Sequence, residues 1–266
     1  MTDLICRMAE NKFGIKADPD DAKRLEEYIL NNRNIISSYS EVPGAGYIET
    51  SFSSGTAAKF LTVNETYFFR EPVHFALLLE LLPSFENSMI RICSAASSIG
   101  CEAYSIAMLI EAYNRSTNKP VRYHIDAFDI NSQAIETAIN GVYNSRTLRD
   151  DGNCFRYMTI PYLKESDNKY YIDDSLKKNI NFFVHNLMDK LYTEKYDIIF
   201  FRNAFIYFFP HKREQVLSNL SHILKEDGIL ILGVSETASV QHSQLVQIHR
   251  RLPSFDDVFY FQKERL

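Results

Sequence analysis

The chain has 266 residues, of which 45% are hydrophobic and 24% are charged, and its formal net charge is -5. This composition is typical of a globular protein with a sizeable core. It argues against a disordered chain and against a chain-wide basic surface for nucleic acid. The length predicts one large domain with a small appendage.

The cysteine and hydrophobic patterns exclude further classes of protein. No apolar run reaches the roughly 18 residues of a membrane-spanning helix, and the N-terminus is too polar for a signal peptide, so we expect no direct membrane insertion. The cysteines lack the spacing of a metal site, so we predict reduced thiols in the cytoplasm and no bound metal. They are Cys6, Cys93, Cys101 and Cys154.

The first 60 residues are predicted to form a small N-terminal helical domain with a linker. Asp18 followed by Pro19 is a helix-start signal, and apolar residues follow at helical spacing. A stretch richer in glycine and serine, at 43–55, indicates the linker. Residues 61–266 are assigned to the main domain.

The main domain alternates predicted strands with predicted helices. A first helix is predicted between Pro72 and Pro83. This alternation predicts an α/β fold with a mostly parallel sheet. The strands are predicted at 89–95, 123–129, 181–185, 196–201 and 228–233, and the helices at 101–113, 131–140 and 211–224.

Two segments depart from this alternation. The last two predicted strands, 246–251 and 257–262, are separated by a short turn and are expected to form an antiparallel hairpin at the sheet edge. Segment 142–178 has turn signals and short aromatic runs but no good core helix, which indicates an inserted antiparallel β-subdomain.

A ligand is expected at the carboxyl ends of the parallel strands. The first strand runs into small residues and Gly100, without the G-x-G-x-x-G pattern of dinucleotide sites, although a plain strand-to-helix turn explains this equally well. The second strand ends at Asp129, which suits either two ribose hydroxyls or a helix N-cap. A glycine turn followed by an acid, with no pyrophosphate site, favours a nucleoside without phosphates, such as S-adenosylmethionine.

Two further segments carry polar residues toward the same edge. Arg202 and Asn203 follow the apolar strand at 196–201, and a buried arginine requires either a carboxylate partner or a ligand. The stretch from Asn64 to Pro72 combines aromatic and polar side chains, which fits a flap over a ligand or a hydrophobic staple and cap at a helix start.

These motifs, taken together and in order, resemble the CheR family of chemotaxis receptor methyltransferases. The matching stretches are NETYFFREP at 64–72, SAASSIGCEAYS at 94–105, AFDIN at 127–131, NL at 186–187, FRNAFIYF at 201–208 and ILGVSE at 231–236. The resemblance implies a Rossmann-like S-adenosylmethionine-dependent methyltransferase sheet with an edge hairpin, a small N-terminal helical domain and an inserted β-subdomain.

The resemblance also implies an activity. The protein is expected to transfer the methyl group of S-adenosylmethionine to glutamate carboxylates in the cytoplasmic region of chemotaxis receptors, which gives methyl esters and S-adenosylhomocysteine. It is expected to act as a cytoplasmic monomer.

By the same resemblance, Arg70 and Tyr207 are the catalytic residues. Arg70 is expected near the transferred methyl or the substrate carboxylate, and Tyr207 beside the reacting sulfonium. Asp129 is expected to bind the ribose, and Glu102 the amino-acid end of the cofactor. The full set of implied cofactor-binding residues is Asn64, Thr66, Arg70, Ala95, Gly100, Glu102, Asp129, Asn186, Leu187, Phe201 and Arg202.

The sequence departs from the family pattern at several positions. Cys101 stands where an acid is frequent, and Val234 where a histidine is usual. The N-terminal residues 1–33 mix both signs of charge, so a basic docking face there is not demanded. None of the histidines falls at an implied contact position, so we expect them to be structural or surface residues.

Three other functions remain as alternatives. One is a methyltransferase of the same fold that acts on another protein, a small-molecule carboxylate or nucleic acid. Action on nucleic acid is disfavoured, because the turn at 203–207 lacks the prolines typical of base methyltransferases. A non-catalytic module of the same fold is opposed by the presence of Arg70 and Tyr207. A dehydrogenase is opposed by the missing G-x-G-x-x-G pattern.

Overall fold

The computed structural model describes residues 1–32, 55–62, 65–253, 255 and 257–265. The predicted linker, apart from Gly55, and the predicted cofactor contact Asn64 lie outside the described residues. Within them, the α-helices in chain order are α1 (Thr2–Phe13), α2 (Pro19–Asn31), α3 (Thr56–Leu61), α4 (Pro72–Leu81), α5 (Cys101–Ser116), α6 (Ser132–Asn140), α7 (Arg156–Thr159), α8 (Asp174–Lys177) and α9 (Pro210–Ile223).

The described strands form two sheets. The strands in chain order are β1 (Met89–Ala95), β2 (Arg122–Asp129), β3 (Val142–Tyr143), β4 (Leu163–Ser166), β5 (Lys169–Ile172), β6 (Ile180–Val184), β7 (Tyr196–Phe201), β8 (Leu224–Leu232), β9 (Leu245–Arg251) and β10 (Asp257–Lys263). The large sheet has the order β6-β2-β1-β7-β8-β10-β9. The predicted α/β fold is confirmed.

The large sheet is parallel from β6 to β8, and its register aligns apolar β-branched side chains. Ile92 of β1 lies opposite Ile125 of β2 and Ile198 of β7, and all three are fully buried. Helices cover both faces, which explains why these strands read as continuous apolar runs. The strand order reverses between β1 and β7, so their carboxyl ends and that of β2 meet at one edge, where ligands bind in such folds.

The edge hairpin is also confirmed. Strand β10 is antiparallel to both β8 and β9, with Tyr260 opposite Ile248 near the centre of the hairpin. The antiparallel strands β10 and β9 therefore form this edge of the large sheet, next to β8.

The predicted insert is an antiparallel sheet with the order β3-β5-β4. Its β4–β5 turn is built by Asp167 and Asn168, which both have positive φ angles, of 53° and 58°. Such left-handed pairs suit the right-handed twist of a hairpin. The short helices α7 and α8 of the insert were not predicted, because each spans only one turn and shows no periodic pattern.

The N-terminal helices pack directly against the large sheet. Helix α2 begins as predicted, with the Asp18 side chain accepting a hydrogen bond from the backbone of Asp20 at 2.8 Å. The stretch after α1 pairs with the chain after β7, where the N–H of Lys16 donates to the carbonyl of Tyr207 at 2.8 Å. Apolar residues of α1 and α2 share one buried cluster with the sheet and α9. No helix among the described residues has both the length and the apolar character needed to cross a membrane.

Candidate active site

A cleft at the carboxyl ends of the strands contains about 980 Å³ of space, counted to its open mouth. Its wall is formed by the ends of β1, β2 and β7, the stretch 65–70 before α4, and the residues after α1. The predicted site residues on this wall are Thr66, Arg70, Glu102, Asp129, Asn186, Leu187, Arg202 and Tyr207.

Among the described residues, three other predicted site residues do not line the cavity wall. Ala95 is buried at the end of β1, and Phe201 is buried against Phe205 and Phe208. Gly100 has a φ of 85°, and a Cβ there would come within 2.7 Å of the Ala138 side chain. Gly100 therefore allows α5 to start close to α6.

Asp129 is buried at the end of β2 and is held by backbone groups. Its Oδ1 accepts a hydrogen bond from the N–H of Asn131 at 2.9 Å, and its Oδ2 accepts one from the N–H of Ser98 at 2.8 Å. Burial raises the pKa of the Asp129 carboxyl, although these hydrogen bonds oppose the shift. The side chain of Asn131 caps α6, so the helix-cap alternative does not describe Asp129. A carboxylate has about four acceptor positions, so Asp129 retains capacity for two further donors.

Arg202 has the carboxylate partners that its burial requires. Its Nη1 lies 3.0 Å from Oε2 of Glu102, and its Nη2 lies 3.2 Å from Oε2 of Glu71. Glu102 also accepts a hydrogen bond from Ser94 Oγ at 2.6 Å. The structure thus combines the two alternatives for Arg202, since it is ion-paired inside the protein and also reaches the cavity wall.

Glu71 was not predicted as a site residue, yet it connects three parts of the chain. It has a φ of 54° and accepts hydrogen bonds from Asn203 Nδ2 at 2.8 Å and from the N–H of Val234 at 3.2 Å, in addition to Arg202. Burial acts to raise its pKa. The interactions with His74, Arg202 and Asn203 lower the pKa by more than burial raises it, so the pKa lies well below its ordinary value. Its side chain makes no cap bond to α4, contrary to the simple cap interpretation of this motif.

Glu236 is a second unpredicted carboxylate, and it is fully buried. Its Oε2 accepts hydrogen bonds from the backbone N–H groups of Asn203 at 2.8 Å and Gly233 at 2.9 Å, and its Oε1 accepts one from Ile206 at 3.2 Å. Burial raises its pKa despite these bonds. Glu236 therefore fixes the turn after β7, which carries Tyr207. The sequence signal was the ILGVSE motif, to which no role was assigned.

Arg70 and Tyr207 both lie on the cavity wall. Arg70 Nη1 donates to the carbonyl of Glu65 at 2.5 Å, and its guanidinium lies 5.7 Å from the centre of the Tyr67 ring. Burial raises the pKa of Tyr207, while the positive charge of Arg70 lowers it.

His185 also lies on the cavity wall, which the sequence pattern did not predict. Its ring lies 5.0 Å from the ring of Phe128 in an edge-on arrangement. Burial lowers its pKa. A neutral aromatic ring at this position extends the apolar part of the wall.

Residues 64–252 match the family model described as "CheR methyltransferase, SAM binding domain". The chain belongs to the CheR methyltransferase family. It is 31% identical over 264 residues to the chemotaxis protein methyltransferase of Borreliella burgdorferi, covering 86% of this chain and 92% of that protein. It is 37% identical over 186 residues to that of Vibrio parahaemolyticus, covering 68% of this chain and 67% of the relative.

Solved methyltransferases resemble the CheR chain in structure. The N-methyltransferase NodS from Bradyrhizobium japonicum, in complex with S-adenosylhomocysteine, aligns with a TM-score of 0.46 at 10% identity. The alignment covers 81% of this chain and 99% of that one.

The cofactor of this CheR methyltransferase is S-adenosylmethionine, and the residues on the wall fit it. Asp129 can accept from a diol, and Glu102 can face a positively charged amino group. The wall also contains apolar surface for a base, from Phe13, Ile15 and Leu187. Ser97 Oγ, on the same wall, is buried without a hydrogen-bond partner among the described groups, as expected where a ligand supplies one.

Proposed function

We propose that this protein transfers the methyl group of S-adenosylmethionine to glutamate side-chain carboxylates in the cytoplasmic region of chemotaxis receptors. The products are glutamate methyl esters and S-adenosylhomocysteine. The observation that carries this proposal is the position of Arg70. Arg70 lies on the same cavity wall as Tyr207 and forms no ion pair with a carboxylate of the described residues.

The cofactor would lie along the wall from Asp129 to Arg70. Asp129 would accept from both ribose hydroxyls, Glu102 would face the amino-acid end, and Asn186 and Leu187 would contact the adenine. Thr66 and Arg202 would line the methionine side. Ala95, Gly100 and Phe201 would shape this wall from behind, and Asn64 would add a contact from outside the described residues.

The protein's own contribution is alignment rather than proton transfer. A glutamate side chain in water has a pKa of about 4.3, so it is already an ionised nucleophile at neutral pH and needs no general base. The bound cofactor supplies an activated methyl group. Arg70 can orient the carboxylate through its two-pronged guanidinium. Good alignment of two reactants can lower the activation free energy by up to roughly 7–11 kcal/mol.

Arg70 must hold the substrate carboxylate only moderately. The carboxylate loses its negative charge as the ester forms, so a strong ion pair would stabilise the ground state more than the transition state. Tyr207 would lie beside the reacting atoms and help to exclude water. Its pKa is raised by burial, which keeps the hydroxyl protonated.

We also propose that the enzyme acts as a cytoplasmic monomer. Its cysteines are free, and both Cys93 and Cys101 are buried, as suits a reducing compartment.

The test is transfer of radiolabelled methyl groups to purified cytoplasmic fragments of chemotaxis receptors. We expect a product that is hydrolysed by alkali, as a carboxyl ester is. Arg70→Ala should lower turnover more than it weakens affinity for S-adenosylhomocysteine, with the exposed Arg24→Ala as a matched control. Label that survives alkali, or that enters nucleic acid instead, would contradict the proposal.

A further inference from the structure

Two guanidinium groups lie against the ring of Tyr67 at the edge of the cavity. The Cζ of Arg149 is 4.6 Å from the ring centre, and that of Arg70 is 5.7 Å from it. Tyr67 itself lies on the cavity wall and is nearly buried. Arg149 belongs to the insert and no sequence motif points to it, so the second arginine is brought to the site by the fold alone.

Arg149 is paired with a carboxylate that borders the same cavity. Its Nη1 lies 2.7 Å from Oε1 of Glu65, and Glu65 is also on the cavity wall. The two side chains are 43% and 54% exposed. An ion pair this open to water contributes little to stability, so another carboxylate can replace Glu65 at low cost.

The composition of the N-terminal helices does not require a positive surface there. Residues 1–32 contain five basic and seven acidic side chains. An acidic substrate that approaches the cavity would meet positive charge from Arg70 and Arg149, which lie against the ring of Tyr67. Charge complementarity of this kind governs encounter and register more than the chemical step.

We propose that Arg149 is a second substrate-binding arginine. Without substrate it is paired with Glu65. When the acidic segment of a receptor docks, a carboxylate next to the methylated glutamate displaces Glu65 and pairs with Arg149, while Arg70 orients the reacting glutamate. This inference rests on the proposed function.

The test is steady-state methyl transfer to a receptor cytoplasmic fragment at low salt. Arg149→Ala should raise KM for the fragment about tenfold, because one charge-assisted contact to the substrate is lost. It should leave kcat and affinity for S-adenosylhomocysteine unchanged. Arg149→Lys should recover part of the loss. The matched control is Arg146→Ala, since Arg146 is exposed on the same segment and its backbone carbonyl, which the substitution retains, accepts a hydrogen bond from Arg149 Nε.

A double-mutant cycle separates competition from simple docking. Glu65→Gln removes the competing carboxylate, so it should lower KM in the wild-type background and have no effect in the Arg149→Ala background. The inference is overturned if Arg149→Ala leaves KM unchanged, or if Glu65→Gln acts equally in both backgrounds. If the wild type transfers no alkali-labile methyl group to the fragment, the proposed function itself fails.

Discussion

Arg202 and Glu102 form an ion pair beneath the cavity, with Nη1 3.0 Å from Oε2. The pair joins the end of β7 to the first turn of α5, and Glu71 adds a second carboxylate from the start of α4. Three separate elements therefore meet at one guanidinium, whose side chain is only 2% exposed. The charged side chains of Arg202, Glu102 and Glu71 therefore hold one another in position through ion pairs within the protein.

Arg202→Ala should destabilise the protein by about 3 kcal/mol. Removing one partner of a buried pair leaves the other charge uncompensated, and here two carboxylates lose their cation. Urea unfolding followed by circular dichroism measures the change. Arg24→Ala is the control, because Arg24 pairs with Asp21 at the surface and its side chain is 67% exposed. Equal losses in the two variants would contradict this account.

Asp129→Ala should weaken S-adenosylhomocysteine binding at least about tenfold, because hydrogen bonds to a charged acceptor contribute roughly 1.5–3 kcal/mol. Titration calorimetry measures the affinity. Asp129→Asn retains one oxygen acceptor and similar volume, so it should lose less than the alanine variant. An unchanged affinity in Asp129→Ala would refute the ribose-binding role.

Several strands and their ends could be predicted closely from the sequence, although β8 begins at Leu224 and not at the predicted residue 228. The bounds of β1 and β7 match the predicted 89–95 and 196–201, because each is a short apolar run bounded by turn residues and buried on both faces. Asp129 could be found for the same reason, since the end of a buried parallel strand determines where its last polar residue lies.

The contacts between distant segments could not be predicted. Glu71 accepts a hydrogen bond from Asn203, 132 residues away, and Arg149 reaches Glu65 across 84 residues. The pairing of Ile15 with Phe208 is equally remote in sequence. Such pairs depend on how whole elements pack, and local periodicity carries no information about them. The sequence therefore indicated the cavity but not the network that holds its shape.

Glu236→Gln should act as a positioning mutation. An amide has one oxygen acceptor, and its NH2 group would face backbone N–H donors, so at least one hydrogen bond to the turn at 203–206 would be lost. Displacement of Tyr207 should lower kcat about tenfold or more. Affinity for S-adenosylhomocysteine should change much less. Kinetics alongside calorimetry separate the two effects.

The control for Glu236 is Glu194→Gln, since Glu194 has a side chain that is 79% exposed. This variant should match the wild type in both measurements. A parallel loss of kcat and cofactor affinity in Glu236→Gln would show that Glu236 supports the whole cavity rather than the turn that carries Tyr207.

His74 should make stability fall as the pH falls from about 6.5 to about 4. Its ring is 1% exposed, its Nδ1 lies 3.4 Å from Glu71 Oε2, and burial, with a contribution from Arg202, lowers its pKa to about 4. In the unfolded chain the imidazole titrates near 6.5, so between these values the unfolded state binds more protons. The contribution of His74 to the free energy of unfolding should therefore fall, by up to about 3 kcal/mol, at 1.36 kcal/mol per pH unit.

Urea unfolding from pH 7 to pH 4 tests this in the wild type and in His74→Phe, which retains an aromatic ring of similar size. Asp129 and Glu236 have raised pKa values in the folded state. Their contribution to the free energy of unfolding therefore falls as the pH rises, which is opposite to the effect of His74. Both groups are present in both proteins, and the difference between the two slopes isolates His74. The variant should therefore be less sensitive to acid between pH 6.5 and 4, and identical slopes would show that His74 is not buried in its neutral form.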